Sequence, residues 1–100
     1  MKKFEGICAA LLTPYDESGK VNCAMLKKQV RWLIGQGIDG FYVCGSTGEA
    51  FLLSPQERMA ILDAVCEENN GEKLVIAHIG QIATEHALEL GRHAKAAGAD

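Results

Sequence analysis

The 100-residue sequence has no long apolar run, no cluster of positive charge and no Cys-x-x-Cys pair. A membrane-spanning helix needs about 20 consecutive, mostly apolar residues, and a nucleic-acid-binding surface needs basic residues gathered on one face. Here ten Lys and Arg residues are scattered among thirteen Asp and Glu residues, which gives a net charge of −3. We therefore expect no membrane span and no nucleic-acid partner.

The amino terminus resembles a secretory signal only faintly. Lys2 and Lys3 precede an apolar run at residues 7–12, but six residues are too few, and residues 13–16 have no small-residue cleavage pattern. The cysteines are dispersed, without the paired spacing of a zinc or redox site or the density of a disulfide framework. They are Cys8, Cys23, Cys44 and Cys66. We expect buried thiols, no metal, and a soluble, cytoplasmic protein.

Three short apolar runs, typical of strands, alternate with three stretches whose apolar residues recur at helical spacing. The runs are residues 7–12, 41–44 and 74–77, and the first of these, having no alternation, suits a strand covered on both faces. Asn22, Ser54 and Thr84 are the expected helix caps, and Ser54 and Glu57 form a capping-box pattern. Alternation of this kind predicts an α/β fold with right-handed parallel βαβ crossovers.

A weak internal repeat supports this order, because Gly37-Ile38-Asp39 leads into the second strand and Gly98-Ala99-Asp100 stands where a fourth would begin. Open α/β sheets and the (β/α)8 barrel both need more chain than this. We therefore expect residues 1–100 to be part of a larger domain.

Residues 45–49, Gly-Ser-Thr-Gly-Glu, follow the second strand directly. Ligand sites of parallel α/β folds lie at the carboxyl ends of the strands. Glycines allow close backbone approach, and hydroxyl and main-chain N–H groups can hold a carboxylate. The spacing fits neither a phosphate-binding P-loop nor a dinucleotide fingerprint. On spacing alone, a turn whose hydroxyls only satisfy the backbone explains the segment equally well.

Residues 45–51 (GSTGEAF), 37–43 (GIDGFYV) and 9–15 (AALLTPY) resemble the family shared by dihydrodipicolinate synthase and N-acetylneuraminate lyase. The resemblance runs along the whole chain but covers only the first third of such a protein. It implies that residues 1–100 are a partial domain, the first three βα units of a (β/α)8 TIM barrel. It also implies a class I aldolase that forms an imine between a lysine and pyruvate and uses no cofactor.

The resemblance also assigns roles to individual residues. Ser46 and Thr47 would hold the pyruvate carboxylate, and Ala10 of the first strand would line the same pocket.

Four further residues would support that loop. Gly45 and Gly48 flank the two hydroxyl residues, Glu49 completes the motif with a loop-bracing hydrogen bond, and Thr13 belongs to a Thr-Pro turn with a structural rather than catalytic role.

The pair Ser46-Thr47 and the continuation of the third strand, residues 77–80 (AHIG), favour the sialic acid lyase branch, which cleaves N-acetylneuraminate to N-acetylmannosamine and pyruvate. Dihydrodipicolinate synthase or another 2-keto acid aldolase is the alternative within the family. A non-catalytic small-acid-binding module is the alternative of a different class. The resemblance places the imine lysine and the proton-relay tyrosine beyond Asp100, so we expect the chain alone to be inactive. It implies a homotetramer for the full-length protein.

Other chemically active side chains have plainer explanations. We expect His78 to be packed or hydrogen-bonded, Cys44 to be a buried thiol rather than a nucleophile, and Trp32 to pack against the core. His86 and His93, two turns apart on the third helix, should face solvent.

Overall fold

The computed structural model describes residues 3–100. Its elements alternate along the chain as predicted. They are β1 (Cys8–Ala10), α1 (Cys23–Gly35), β2 (Gly40–Val43), a short 3₁₀ helix (Ala50–Leu52), α2 (Pro55–Asn69), β3 (Leu74–Ala77) and α3 (Thr84–Ala97). The predicted third strand is confirmed with its bounds, and the first strand is shorter than predicted.

The strands form one parallel sheet in the order β1-β2-β3. Ala10 lies opposite Tyr42, which lies opposite Ile76, so these three side chains share one face. Because the strands are parallel and consecutive, their carboxyl ends meet at a single edge. The loops that follow the strands are therefore gathered at that edge.

The helices cover only one face of this sheet. Phe41 and Val43 of β2 are buried there, against apolar side chains of α1 and α2 such as Val30 and Val65. Tyr42, which points the other way, is 37% exposed. The expectation that the first strand is covered on both faces is wrong for this chain, because the Ala10 and Tyr42 face has no covering element among residues 3–100.

Two of the three predicted caps are confirmed. The Asn22 side chain accepts a hydrogen bond from the Met25 N–H, and Ser54 and Glu57 form the reciprocal capping box. The third is wrong. Ala83 has the extended backbone of a cap and its carbonyl oxygen accepts the first helical bonds of α3, so Thr84 is already helical and its side chain caps nothing.

The prediction that Trp32 packs against the core is wrong, because its side chain is 64% exposed. On α1 the residues with zero exposure are Leu26 and Val30, one turn apart on the face toward the sheet. Trp32 follows Val30 by two residues, which places it on a different side of the helix.

The internal repeat has a structural counterpart. The Asp39 N–H donates to the Ile7 carbonyl oxygen, and the Ile7 N–H donates back to the Asp39 carboxylate, both at 2.8 Å. Asp100 makes the same pair of bonds with Val75, at 2.8 Å and 3.0 Å. Asp39 thus holds the backbone of the residue directly before β1, and Asp100 holds the backbone of a residue within β3.

Candidate functional site

Residues 45–49 lie at the carboxyl end of β2, as predicted, and turn sharply. The residues bounding the turn, Cys44 and Glu49, have left-handed backbone conformations, with φ of 58° and 62°. This conformation costs a non-glycine residue about 1–3 kcal/mol, and it persists only where surrounding contacts impose it. Further hydrogen bonds close the turn, from the Glu49 N–H to the Ser46 carbonyl oxygen and from the Ala50 N–H to the Gly45 carbonyl oxygen.

The two glycines of the loop lie in close contact with neighbouring groups. A Cβ atom on Gly45 would lie 2.4 Å from the Tyr42 ring, and one on Gly48 would lie 3.0 Å from the Leu11 carbonyl oxygen. Both glycines are buried while the residues between them are exposed. The loop is therefore held against β1 and β2 by its ends, with its centre facing outward.

That centre presents hydrogen-bond donors without protein partners. Ser46 and Thr47 are exposed. Within residues 3–100, neither hydroxyl has a hydrogen-bond partner, and the N–H groups of Ser46, Thr47 and Gly48 have no protein acceptor. Successive main-chain N–H groups in such a turn form an anion-binding concavity. The arrangement can therefore bind a small anion such as a carboxylate without a charged side chain.

Two side chains from the loop after β1 brace the turn. The Thr13 hydroxyl donates to the Gly48 carbonyl oxygen at 2.6 Å, and the Tyr15 hydroxyl donates to the Glu49 carboxylate at 3.1 Å. Desolvation, with the Glu49 hydrogen bond as the next cause, raises the pKa of Tyr15, so the phenol stays a donor. Glu49 thus makes a bracing hydrogen bond of the kind expected, and its partner Tyr15 was not foreseen.

Ala10 ends β1 on the open face of the sheet, beside Tyr42 in register. The Leu11 N–H, one residue on, donates to the Tyr42 carbonyl oxygen. Ala10 and the loop after β2 therefore lie at the same edge of the sheet, which is compatible with the shared pocket that the family resemblance implies. The small side chain leaves the space in front of β1 open.

Behind the loop lies a second set of contacts that sequence reasoning missed. Arg58 of α2 is only 2% exposed, and its guanidinium donates to the carbonyl oxygens of His78 at 2.7 Å and Gly80 at 2.8 Å. The ring of His78 lies with Nδ1 2.7 Å from the Cys44 carbonyl oxygen. The sequence did contain a signal for Arg58. This charged residue lies at helical spacing from Ile61 and Leu62, within the apolar stripe of the predicted helix.

Two predictions about these residues are confirmed. His78 is packed and hydrogen-bonded, with its ring centroid 6.0 Å from that of Tyr42 and 6.1 Å from that of Phe51. Cys44 is a buried thiol, 4% exposed, and burial raises its pKa to about 11 although the neighbouring Arg58 opposes the shift. A thiol in this state is a poor nucleophile.

Of the two histidines predicted to face solvent, His86 does and His93 does not. The His93 side chain is 21% exposed, and its Nε2 lies 2.9 Å from an Asp63 carboxylate oxygen. The prediction failed for His93 because it considered α3 alone, whereas α2 packs alongside and supplies the carboxylate.

None of the lysines within residues 3–100 lies in a strand or directly follows one. Lys73 immediately precedes β3, at the opposite edge from the loop. No group of three His, Cys, Asp or Glu side chains within residues 3–100 is arranged to hold a metal ion. In the same range, none of the helices has the length and apolar character needed to cross a membrane.

Comparison with known proteins gives concordant results. The sequence model that represents the dihydrodipicolinate synthetase family matches residues 3–100 of this chain. The chain is 46% identical over 99 residues to an N-acetylneuraminate lyase of Salmonella paratyphi B, which covers 99% of this chain and 33% of that protein.

Solved structures agree. CdNal from Clostridium difficile, crystallised with mannosamine, superposes with a TM-score of 0.96 at 35% identity, over 99% of this chain and 34% of that one. A catalytic lysine mutant of Ruminococcus gnavus sialic acid aldolase gives 0.94 at 30% identity, over 100% and 34%. The chain thus spans about a third of the length of these relatives. Its fold is that of the first three βα units of a (β/α)8 barrel, as predicted.

Proposed function

We propose a function that starts from the family of this chain, which belongs to the dihydrodipicolinate synthetase family. Within a full-length protein, it supplies the loop that holds the carboxylate of pyruvate in a class I aldolase, a carbon–carbon lyase. The reaction is the reversible cleavage of N-acetylneuraminate to N-acetylmannosamine and pyruvate. The observation that carries the proposal is the set of unpaired donors at Ser46, Thr47 and Gly48.

The donors suit a carboxylate for a physical reason. Neutral N–H and O–H groups stabilise a negative charge without leaving a buried cation uncompensated when the site is empty. Thr13, Tyr15 and the two loop glycines keep these donors turned toward the open face, where Ala10 leaves room for the rest of the substrate. Gly45, Gly48, Glu49 and Thr13 are then supporting residues, and Ser46, Thr47 and Ala10 contact the substrate.

The carbon–carbon bond is broken by chemistry that we assign to other parts of the protein. A lysine amine adds to the ketone of the intact substrate and loses water to form an imine, which accepts the electron pair when the carbon–carbon bond breaks and so leaves the enamine of pyruvate. A tyrosine would take the proton from the substrate hydroxyl that becomes the aldehyde, and protonation and hydrolysis of the enamine would release pyruvate and the lysine. We propose that both residues lie beyond Asp100, and that residues 3–100 hold one end of the substrate while the imine forms elsewhere.

The choice of N-acetylneuraminate rests on the relatives. The chain is 46% identical over 99 residues to an N-acetylneuraminate lyase, and its Ser46-Thr47 pair resembles the loop sequence of that branch. Synthesis of dihydrodipicolinate uses the same pyruvate imine, so it is the second candidate, favoured by the name of the matching family. The two differ in the aldehyde that meets the imine. We further propose that no cofactor takes part, and that the full-length protein is a cytoplasmic homotetramer.

Replacing Thr47 by Val in the full-length protein tests the loop. The change keeps the shape of the side chain and removes one donor, and the unpaired carboxylate oxygen should weaken pyruvate binding by about 1–3 kcal/mol. Thr84→Val is the matched control, because Thr84 is exposed at the start of α3 and caps nothing. Unchanged pyruvate affinity in Thr47→Val would support the alternative that the loop is only a turn.

Reductive trapping tests whether the imine lysine lies outside residues 1–100. Borohydride with labelled pyruvate should fix the imine on the full-length protein and leave residues 1–100 unlabelled, because no imine lysine is assigned to them. Mass spectrometry after digestion locates the adduct. A stable pyruvate adduct on a lysine of the isolated chain would overturn this part of the proposal.

A further inference from the structure

Arg58 is an unusual buried charge. Its guanidinium is bonded to two carbonyl oxygens, those of His78 and Gly80, and among residues 3–100 it forms no ion pair with a carboxylate. Its Nε is buried without an acceptor in the same range. A buried charge that is not neutralised is costly, so this arginine is poorly explained as a stabilising residue alone.

The geometry of its contacts suggests what the charge does. Arg58 sits on α2, the helix that follows the loop of residues 45–49, and both of its acceptors lie in the segment after β3. A planar guanidinium can bond two acceptors at fixed separation, which an ammonium cannot do. The side chain therefore connects the carboxyl end of β3 to α2, the α-helix that comes after the loop and its short 3₁₀ helix.

A further hydrogen bond extends this tie to the other end of the loop. The Cys44 carbonyl oxygen can only accept, so the Nδ1 atom of His78 at 2.7 Å carries the hydrogen and donates it. The 3.4 Å approach between this Nδ1 and Arg58 then joins two donors and is only a packing contact. Arg58 thus holds the His78 backbone, and the His78 ring holds Cys44, whose left-handed conformation starts the loop.

The space enclosed by these groups is too small for a ligand. The cavity bounded by Cys44, Arg58, His78 and His93 has a volume of about 10 Å³, which is at most enough for one water molecule. Arg58 therefore acts on the candidate site through the chain of contacts rather than by binding a substrate.

We infer that Arg58 is a positioning residue of the carboxylate-binding loop, acting through His78 and Cys44. The inference rests on the proposed function of that loop. In physical terms, the arginine fixes the strained end of the loop so that the N–H groups of residues 46–48 point at one place before the anion arrives. Preorganisation of this kind raises affinity because the ordering cost is met in the free protein.

The test uses isotopically labelled full-length protein, in which NMR follows the amide resonances of Ser46, Thr47 and Gly48 as pyruvate is added. Arg58→Lys keeps the charge and cannot span both carbonyl oxygens, and we expect roughly 5- to 20-fold weaker pyruvate binding. Arg92→Met, which removes a charge from the exposed face of α3, should bind as the unsubstituted chain does. Thermal unfolding of each variant shows that it is folded.

A double substitution separates positioning from general destabilisation. His78→Phe keeps the ring and loses the donor to Cys44, so it should weaken binding by a similar factor. If Arg58 acts through His78, the double variant Arg58→Lys/His78→Phe loses no more affinity than the weaker-binding single variant, whereas independent effects multiply. Multiplying effects, or unchanged affinity in a folded Arg58→Lys, overturn the inference.

A result without pyruvate keeps the inference separate from the proposed function. In the free full-length Arg58→Lys protein, the amide shifts of residues 44–48 should move, and hydrogen exchange should quicken at Glu49 and Ala50, whose N–H groups close the turn. If the unsubstituted full-length protein fails to bind pyruvate, the proposed function of the loop fails, and these ligand-free measurements still decide the positioning role. Unaltered shifts and exchange would refute it.

Discussion

The hydrogen bond from Thr13 to Gly48 offers the sharpest test of how the loop is built. Replacing Thr13 by Val exchanges the hydroxyl for a methyl group and keeps the branched shape. The bond is 2.6 Å long and half-buried, and it is the contact that joins the turn after β1 to the backbone of the loop. If Thr13 is structural, as the sequence predicts, its loss should act first on stability.

The magnitude follows from what is left behind. A hydrogen bond of this kind contributes about 1 kcal/mol net, and an acceptor left unpaired in a buried place costs about 1–3 kcal/mol. Gly48 is buried, and water can reach its carbonyl oxygen only if the loop moves. We therefore expect a loss of about 1–2 kcal/mol, which for a chain of this size lowers the melting temperature by roughly 4–16 °C.

Circular dichroism during heating and urea titration measure this loss. Thr84→Val again serves as control and should change the free energy of unfolding by less than about 0.5 kcal/mol. Hydrogen exchange at Glu49 and Ala50, whose N–H groups close the turn, should quicken in Thr13→Val, while the exchange rates within α2 should stay as they are in the unsubstituted chain. Equal unfolding midpoints for Thr13→Val and the unsubstituted chain would refute the reasoning, since they would show that the hydroxyl does not hold the loop.

Two further predictions concern groups away from the loop donors. The side chain of Asn69, which is 2% exposed, forms hydrogen bonds with both the N–H and the carbonyl oxygen of Lys73. In Asn69→Asp the bond to the carbonyl oxygen becomes a repulsion, so urea unfolding should show a loss of stability of about 2–3 kcal/mol. An equal loss in Asn70→Asp, at the exposed neighbouring residue, would contradict this prediction. Burial raises the pKa of Cys44 to about 11, so its neutral thiol contributes stability below its ordinary pKa of about 9 that is lost as pH approaches 11. Iodoacetamide at pH 8 should modify Cys44 more slowly than the half-buried Cys23, and equal rates would contradict the assignment.

Most of the architecture was predictable because its signals are local. The Ser54-Glu57 capping box and the apolar run of residues 74–77 depend on contacts within a few residues, and both appear as predicted. Trp32 and His93 failed for the opposite reason. Whether they are covered depends on which helix lies alongside, and one-dimensional spacing does not contain that information.

The candidate site divides in the same way. Its loop could be predicted, since glycines and hydroxyl residues directly after a strand have a chemical meaning at that position. Its supports could not. Tyr15 reaches Glu49 across 34 positions of sequence, and Arg58 reaches His78 across 20, so neither pair has a spacing signature. Only the presence of a charge in line with the buried positions of α2 pointed toward Arg58.

The Gly-x-Asp repeat shows when a long-range contact can still be read from sequence. Asp39 and Asp100 each use one N–H and one carboxylate oxygen to satisfy both backbone groups of a single residue, Ile7 directly before β1 and Val75 within β3. The contact is distant in sequence, but it occurs twice, at Asp39 and at Asp100, because both residues meet the neighbouring unit in the same parallel geometry. Repetition makes such a contact visible as a pattern. The contact of Arg58 with His78 spans 20 positions and occurs once, at the edge of the sheet that carries the candidate site, and a single occurrence leaves no period to detect.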